Sequence, residues 1–144
     1  MASEHLPMEK IEFFLRFVGI ADWAWKCVQD WSPLARDTVG KQLIRAADSV
    51  GANLVEGDGR FADADGLHFF VIARASARET RYWIQRAVER QLITEEEGAA
   101  QIAAITAATQ LLNRLITYRR ERKKLPTQTK EENADYTAQK DDPF

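Results

Sequence analysis

The sequence predicts an all-α protein: an antiparallel up-down four-helix bundle over residues 9–125, preceded by a flexible N-terminus (1–8) and followed by a disordered C-terminal tail (126–144). Three observations carry this reading. Apolar residues recur at alternating steps of three and four in four separate stretches, the spacing that gathers them on one side of a helix. Between the stretches lie Ser32-Pro33, the glycine- and aspartate-rich run 57–66, and Thr94 followed by three glutamates, all of them helix punctuation. Beyond Pro126 the chain reads TQTKEENADYTAQKDDPF, polar and without period, which predicts a segment that buries too little to order itself.

The first helix, about residues 9–31, carries two apolar stripes. Ile11, Phe14, Val18, Ala21, Trp25 and Val28 form one, a core stripe; Phe13, Phe17, Ile20, Ala24, Cys27 and Trp31 form the other, rotated by ~100°. A single bundle seam uses one stripe, so two readings stand open. Either the helix is wedged between two neighbours of its own bundle, or the second stripe, with Phe13, Phe17, Ile20 and Trp31 as its large residues, faces another subunit.

Ser32 suits an N-cap and Pro33 the first position of the second helix. That helix runs to about Glu56 with Leu43, Ala47, Val50 and Leu54 on one face, and Ala46, Ala47, Ser49, Gly51 and Ala52 keep it thin enough for close backbone approach. Gly57 is expected to stop it in the left-handed conformation. The following run, GDGRFADADG, lacks the ligand spacing of a calcium loop and reads as cap and hinge. A third helix, about residues 65–91, has Phe69, Ile72, Ala73, Ser76, Thr80, Trp83 and Ala87 as its expected core face, with Arg74, Arg78 and Arg81 opposite, on solvent.

Thr94 and Glu97 match a capping box, so the fourth helix starts there. Ile102, Ile105, Leu112 and Ile116 form its seam with Thr109 as the polar break. The run Arg119, Arg120, Glu121, Arg122, Lys123, Lys124 closes it, where cations complement the helix dipole, and Pro126 ends it.

Composition narrows the function. With 45% hydrophobic and 29% charged residues the chain is an ordinary soluble globular domain, and no apolar run is long enough for a membrane span. The N-terminus shows no secretory pattern, so cytoplasmic residence is expected. Cys27 is the sole cysteine and His5 and His68 the two histidines, which leaves no disulfide framework and no zinc spacing; neither metal nor cofactor is expected. The net charge of −2 hides a segregated pattern, since the run 119–124 is basic and the tail acidic. No phosphate loop, dinucleotide fingerprint, nucleophile elbow or zinc-protease helix occurs, and Glu56 and Glu79 have no histidine near them in sequence. The chain is not expected to be an enzyme.

Two segments already described, QLIRAADSVGANLVEGDGR (42–60) and FFVIARASARE (69–79), carry a resemblance. They look like the four-helix-bundle proteins encoded in intervening sequences of bacterial 23S ribosomal RNA genes, sometimes labelled S23 ribosomal proteins, and the likeness covers about residues 9–122. The first motif falls on Gln42, Arg45, Ala46, Ala47, Ser49, Asn53, Glu56, Gly57, Gly59 and Arg60, and the second on Phe69, Ala73, Arg74, Ser76 and Glu79. Departures are Gly66 in place of the usual aromatic residue, Ala75 in place of glycine, and the sequence of 50–55.

The resemblance implies a ring-shaped homopentamer. It also implies nucleic-acid binding, to RNA or DNA, through kinship with the accessory proteins of diversity-generating retroelements, which partner a reverse transcriptase. Those proteins tend to be basic, whereas this chain has a pI near 5.7. The residues available to phosphate are Arg74, Arg78, Arg81, Arg119, Arg120, Arg122, Lys123 and Lys124, multiplied by assembly. The competing reading is a protein–protein interaction scaffold that binds no nucleic acid.

Overall fold

Four long helices account for nearly all of the chain that the computed structural model describes, residues 6–60, 63–123 and 144. A 3-10 turn, Met8–Lys10, precedes α1, Glu12–Val28. A short helical turn, Pro33–Ala35, and a π-helical segment, Arg36–Gly40, lead without a break into α2, Lys41–Asp58; α3 spans Asp63–Glu89 and α4 Glu95–Lys123. Each helix packs against its neighbours in sequence and α4 closes against α1. The result is an up-down four-helix bundle in which α1 and α3 occupy opposite corners.

Helix α1 buries residues of both its stripes within the one chain. Phe13, Phe17 and Ile20 are only 7%, 3% and 4% exposed, and Phe14, Ala21 and Val28 on the other stripe are buried as well. The corner position explains this, because α2 takes one side of α1 and α4 the other. Phe13, Phe17 and Ile20 therefore present no free surface to another subunit, and Trp31 is half-buried against the core. What α1 does expose is Leu15 and Trp25. The helix is also shorter than its apolar pattern, because Ile11 turns extended between the 3-10 turn and α1. Met8, read from sequence as flexible, is a core residue: its side chain is fully buried and its backbone N–H donates to Asp58 Oδ2 at 3.0 Å.

The start of the second helical run follows its sequence signal, with Pro33 at the first position and Ser32 Oγ accepting the Ala35 N–H at 3.4 Å. Its end does not. Helix α2 continues through Gly57 to Asp58, and no described glycine has a positive φ. Gly57 is buried inside the helix, where a Cβ would lie 2.8 Å from Phe70 Cε1 and 2.9 Å from the Gly66 carbonyl oxygen. A Cβ on Gly66 would meet the Gly57 oxygen at 2.8 Å in turn. The pair thus serves backbone contact between α2 and α3 rather than a left-handed cap. Gly66, where an aromatic residue was the familiar choice, is the other half of that contact.

Helix α3 buries Ala73, Ser76, Thr80 and Ala87 of its expected face, but is rotated so that Phe70, Ala77 and Ile84 complete the core while Phe69, Ile72 and Trp83 sit half-buried on its flank. The helix ends in a two-bond cap: Leu92 N–H reaches the Ala87 oxygen at 2.9 Å and Gln91 N–H the Val88 oxygen at 3.0 Å, with Gln91 at φ 60°. Helix α4 then opens on the capping box, Glu97 N–H to Thr94 Oγ1 at 3.1 Å and Thr94 N–H to Glu97 Oε2 at 3.2 Å. Its core residues are Ile105, Ala108, Thr109, Leu112 and Ile116. Phe61 and Ala62 of the hinge, Lys124 and the tail to Pro143 lie outside the described residues.

Candidate nucleic-acid interface

Helix α3 places Arg74 at the seam with α4 and leaves Arg78 on solvent. Arg74, Arg78 and Arg81 follow at steps of four and three and so share one stripe of α3. Arg74 is half-buried and donates through Nη1 to Asn113 Oδ1 on α4 at 3.0 Å. Burial and, secondarily, the nearby Arg120 guanidinium hold its pKa below the ordinary arginine value. No carboxylate pairs with Arg74 among the described residues. Asn113, Thr117 and Arg120 recur on α4 at steps of four and three, so the seam brings two guanidinium groups, an amide and a hydroxyl onto adjoining helix flanks. Arg78 is exposed beside them and makes no ion pair among the described residues. A phosphate oxygen would accept from several donors of such a cluster at once.

The run at the end of α4 divides between helix flanks, because successive residues point ~100° apart: Arg120 turns away from Arg119 and Arg122, which lie three residues apart and share a face. Arg119 turns toward the bundle end, its guanidinium 5.5 Å from the Phe70 ring centre; Arg122 lies 5.6 Å from the ring of its neighbour Tyr118; Arg120 faces Arg74. Lys123 closes the helix and Lys124 is outside the described residues. Of the run, Arg120 is the residue placed with the α3 arginines. Arg81 carries the ring of Phe144, the last residue of the chain, 4.1 Å from its guanidinium carbon.

Among the remaining motif residues, Ser49–Ser76 and Arg60–Phe69 join the α2 side to α3, and the other bonds are local. Ser49 and Ser76 hydroxyls bond across the seam at 2.9 Å, Asn53 Nδ2 donates to the Ser49 carbonyl and hydroxyl at 2.8 and 3.0 Å, and Thr80 Oγ1 donates to the Ser76 carbonyl at 2.8 Å. Arg60 pairs with Glu56 and lies 4.9 Å from the Phe69 ring centre. Glu79 accepts from the Trp83 indole at 3.2 Å. Gln42 and Arg45 are exposed, and Gly59 forms the C-cap of α2 at φ −75°. Glu56 and Glu79 sit in separate pairs, one at the hinge and one on the α3 flank.

Sequence reasoning missed an apolar groove between α1 and α2. Phe14, Val18, Gly51, Ala52 and Val55 line it, with Asp22 and Asp48 at its rim and a volume of about 350 Å³. Burial first, then the Asp22 charge, raises the Asp48 pKa above the ordinary carboxylate value. Two wholly missed signals made it hard to see: Gly51 and Ala52 were read as thin packing rather than as a floor, and Trp25 as core although it is 57% exposed. At the other end of α1, Trp23, Lys26, Cys27, Asp30, Trp31, Leu92 and Glu97 surround a shallower cleft. The Cys27 thiol there is pushed up by burial and by Glu97, against a hydrogen bond from Trp31, which disfavours the thiolate. Among the described residues no acidic, histidine or cysteine cluster is arranged to hold a metal, and no helix is long and apolar enough to cross a membrane.

A four-helix bundle whose motif residues zip α2 to α3, with an arginine seam on its far side, defines the class. The chain belongs to the 23S rRNA-intervening sequence protein family, whose model matches residues 9–114. Among solved structures it is similar to a protein of unknown function from the S23 ribosomal protein family of Bacteroides thetaiotaomicron, with 24% identity and a TM-score of 0.66 over 73% of this chain and 95% of that one. At that identity the likeness concerns the fold. No curated protein matches the chain.

Proposed function

We propose that this protein is a non-enzymatic, oligomeric factor that binds nucleic acid through the α3–α4 arginine seam. One observation carries the proposal: Arg74 is half-buried with an amide rather than a carboxylate for a partner and with Arg120 beside it. A guanidinium held that way is only partly compensated, and a phosphodiester would supply the missing charge. Arg78 extends the stripe toward solvent, where a nucleic-acid backbone runs. Membership of a family named for an insertion in ribosomal RNA genes makes structured RNA the first ligand to try. Cytoplasmic residence fits such a role.

Assembly, in this reading, uses the α1–α2 groove and the exposed Leu15 and Trp25 beside it, not the buried stripe of α1. Exposed apolar area next to a groove is what a second copy covers. A homopentamer would repeat the seam five times and turn a few phosphate contacts per chain into useful avidity. The same apolar face supports the alternative, an interaction scaffold that binds no nucleic acid.

The test is fluorescence anisotropy with structured RNA and duplex DNA across a salt series, on protein of known mass in solution. Each phosphate contact contributes about 0.7 (single-stranded) to 0.9 (duplex) to the slope of log affinity against log salt. Arg78→Ala and Arg120→Ala are each expected to weaken binding and reduce that slope by about that amount. Absence of binding at low salt would leave the scaffold reading. Trp25→Glu is expected to lower the solution mass while circular dichroism stays helical, and an unchanged mass would remove the α1–α2 face from the assembly.

A further inference from the structure

We infer that the arginine face of α3 takes unpaired nucleotides rather than duplex, with Tyr82 as the ring on which a base stacks. The inference rests on the nucleic-acid reading proposed above and names the kind of strand which that reading leaves open. Arg74, Arg78 and Tyr82 follow one another at steps of four. Such a row drifts round a helix by about 40° per step and climbs by roughly 6 Å. Here the drift runs outward from the α4 seam: Arg74 is half-buried against Asn113, Arg78 is exposed, and Tyr82 is 51% exposed. A strand whose phosphates lie on the seam and on Arg78 therefore meets the Tyr82 ring next along the row.

The ring is held in place for that role. Tyr82 and Trp83 meet edge to face, with ring centres 5.0 Å apart and an interplanar angle of 74°, and the Trp83 indole N–H is fixed in turn on Glu79 Oε1 at 3.2 Å. An edge-to-face contact covers at most one face of a ring, so Tyr82 keeps a flat apolar face toward solvent. Tyr118, also more than half exposed, differs in that the Arg122 guanidinium lies 5.6 Å from its ring centre. Phosphate contacts alone do not select a single strand, because a duplex carries the same backbone. A base reaches an aromatic side chain only when it is out of the helical stack, and every base then offers a face to it. Guanidinium groups along a row that ends on an open ring are the combination that single-strand binding uses, tolerant of sequence and intolerant of pairing.

The test is fluorescence anisotropy at low salt and across a salt series, on the full chain, with three probes: an unstructured RNA of about ten nucleotides, the same strand annealed to its complement, and a DNA strand of that sequence. The wild type is expected to bind the single strand on the order of tenfold more tightly than the duplex. Equal or tighter duplex binding overturns the inference and leaves the nucleic-acid reading in place. Tyr82→Ala is expected to weaken the single strand about five- to thirtyfold, the effect of one stacked base, with duplex affinity and the salt slope unchanged. Single-strand affinity equal to wild type overturns the stacking. Tyr82→Phe keeps the ring and is expected to bind as the wild type does; a loss as large as that of Tyr82→Ala would transfer the effect to the hydroxyl and overturn it too. Tyr118→Ala is the control, expected to bind as the wild type, and a loss matching that of Tyr82→Ala overturns the assignment to Tyr82. The RNA and DNA strands are expected to agree within about threefold, because ring and guanidinium groups meet base and phosphate rather than the 2′-hydroxyl, and a preference of about tenfold for either overturns this mode of recognition. Binding of none of the three probes refutes the nucleic-acid reading and this inference with it.

Discussion

Replacing Gly57 by alanine separates two roles of that glycine by the sign of the effect. In the interior of a helix with room for a methyl group, Gly→Ala stabilises by about 1 kcal/mol, because alanine gives up less backbone entropy on folding. At Gly57 the methyl carbon would be placed 2.8 and 2.9 Å from Phe70 Cε1 and Cδ1 and 2.9 Å from the Gly66 oxygen. Ordinary contact is ~3.5 Å or more, so α3 has to retreat by over half an ångström. One of the three obstructing atoms is backbone and the other two belong to a fully buried ring that cannot swing into solvent. Overpacking of this kind costs about 1–3 kcal/mol. Retreat also loosens the Ser49–Ser76 bond on the same seam, which places the clash at the upper end of that range. Net of the propensity gain, Gly57→Ala is expected to lose about 1–2 kcal/mol, a fall in Tm of several degrees for a domain of this size. Gly59→Ala is the control: its Cβ would have ordinary 3.6–3.7 Å neighbours at a φ of −75°, and it should be neutral or slightly stabilising. The assay is thermal and urea unfolding by circular dichroism, with Gly66→Ala and the double variant completing a cycle. A Gly57→Ala protein as stable as the wild type or more so would refute the close-contact argument.

Gln91 occupies a left-handed position that glycine fills at less cost, so Gln91→Gly should stabilise by about 0.5–1 kcal/mol in urea unfolding, and a loss would mean that the glutamine side chain contributes a contact of its own. Thr109 is fully buried and its hydroxyl has no hydrogen-bond partner among the described residues; Thr109→Val keeps the shape and should stabilise by about 1 kcal/mol, whereas destabilisation would reveal a partner such as a buried water. Asp48 has a folded-state pKa above its unfolded value, so the native protein takes up its proton more readily and stability falls as pH rises from the ordinary carboxylate range through the folded pKa. Asp48→Asn is therefore expected to raise Tm slightly at pH 7, with the difference closing below about pH 4; a constant difference across that range would assign the effect to packing rather than charge.

Strong local chemistry made some elements legible in the sequence. Thr94 and Glu97 fix the start of α4 because each satisfies a backbone donor of the other, a contact complete within four residues. Ser32 and Pro33 work in the same local way. The missed features depend on partners distant in the chain. Gly57 carries the composition of a left-handed cap, and only the approach of Gly66 and Phe70 from α3 shows that it is a contact glycine. Helix α3 has apolar or small residues at nearly every position from Leu67 to Ala77, so two inward phases fit its pattern almost equally well; the aromatic phase was the more conspicuous and the alanine phase is the one that lets α2 come close. In α1 the two stripes were both visible, and the corner position that consumes both is a property of the assembled bundle.

The candidate site shows the same division between composition and assembly. A run of five bases in six residues is the most conspicuous charged feature of the sequence, and a helix splits it between flanks, since successive side chains point ~100° apart while Arg119 and Arg122, three residues apart, share one. Arg119 goes to Phe70, Arg122 to Tyr118, and Arg120 to the α3 stripe. Charge on a helix acts together when it recurs at steps of three and four, as Arg74, Arg78 and Arg81 do, or when a neighbouring helix supplies a partner, as Asn113 and Arg120 do. A chain with net charge −2 can therefore carry a phosphate-sized basic site without a basic surface overall.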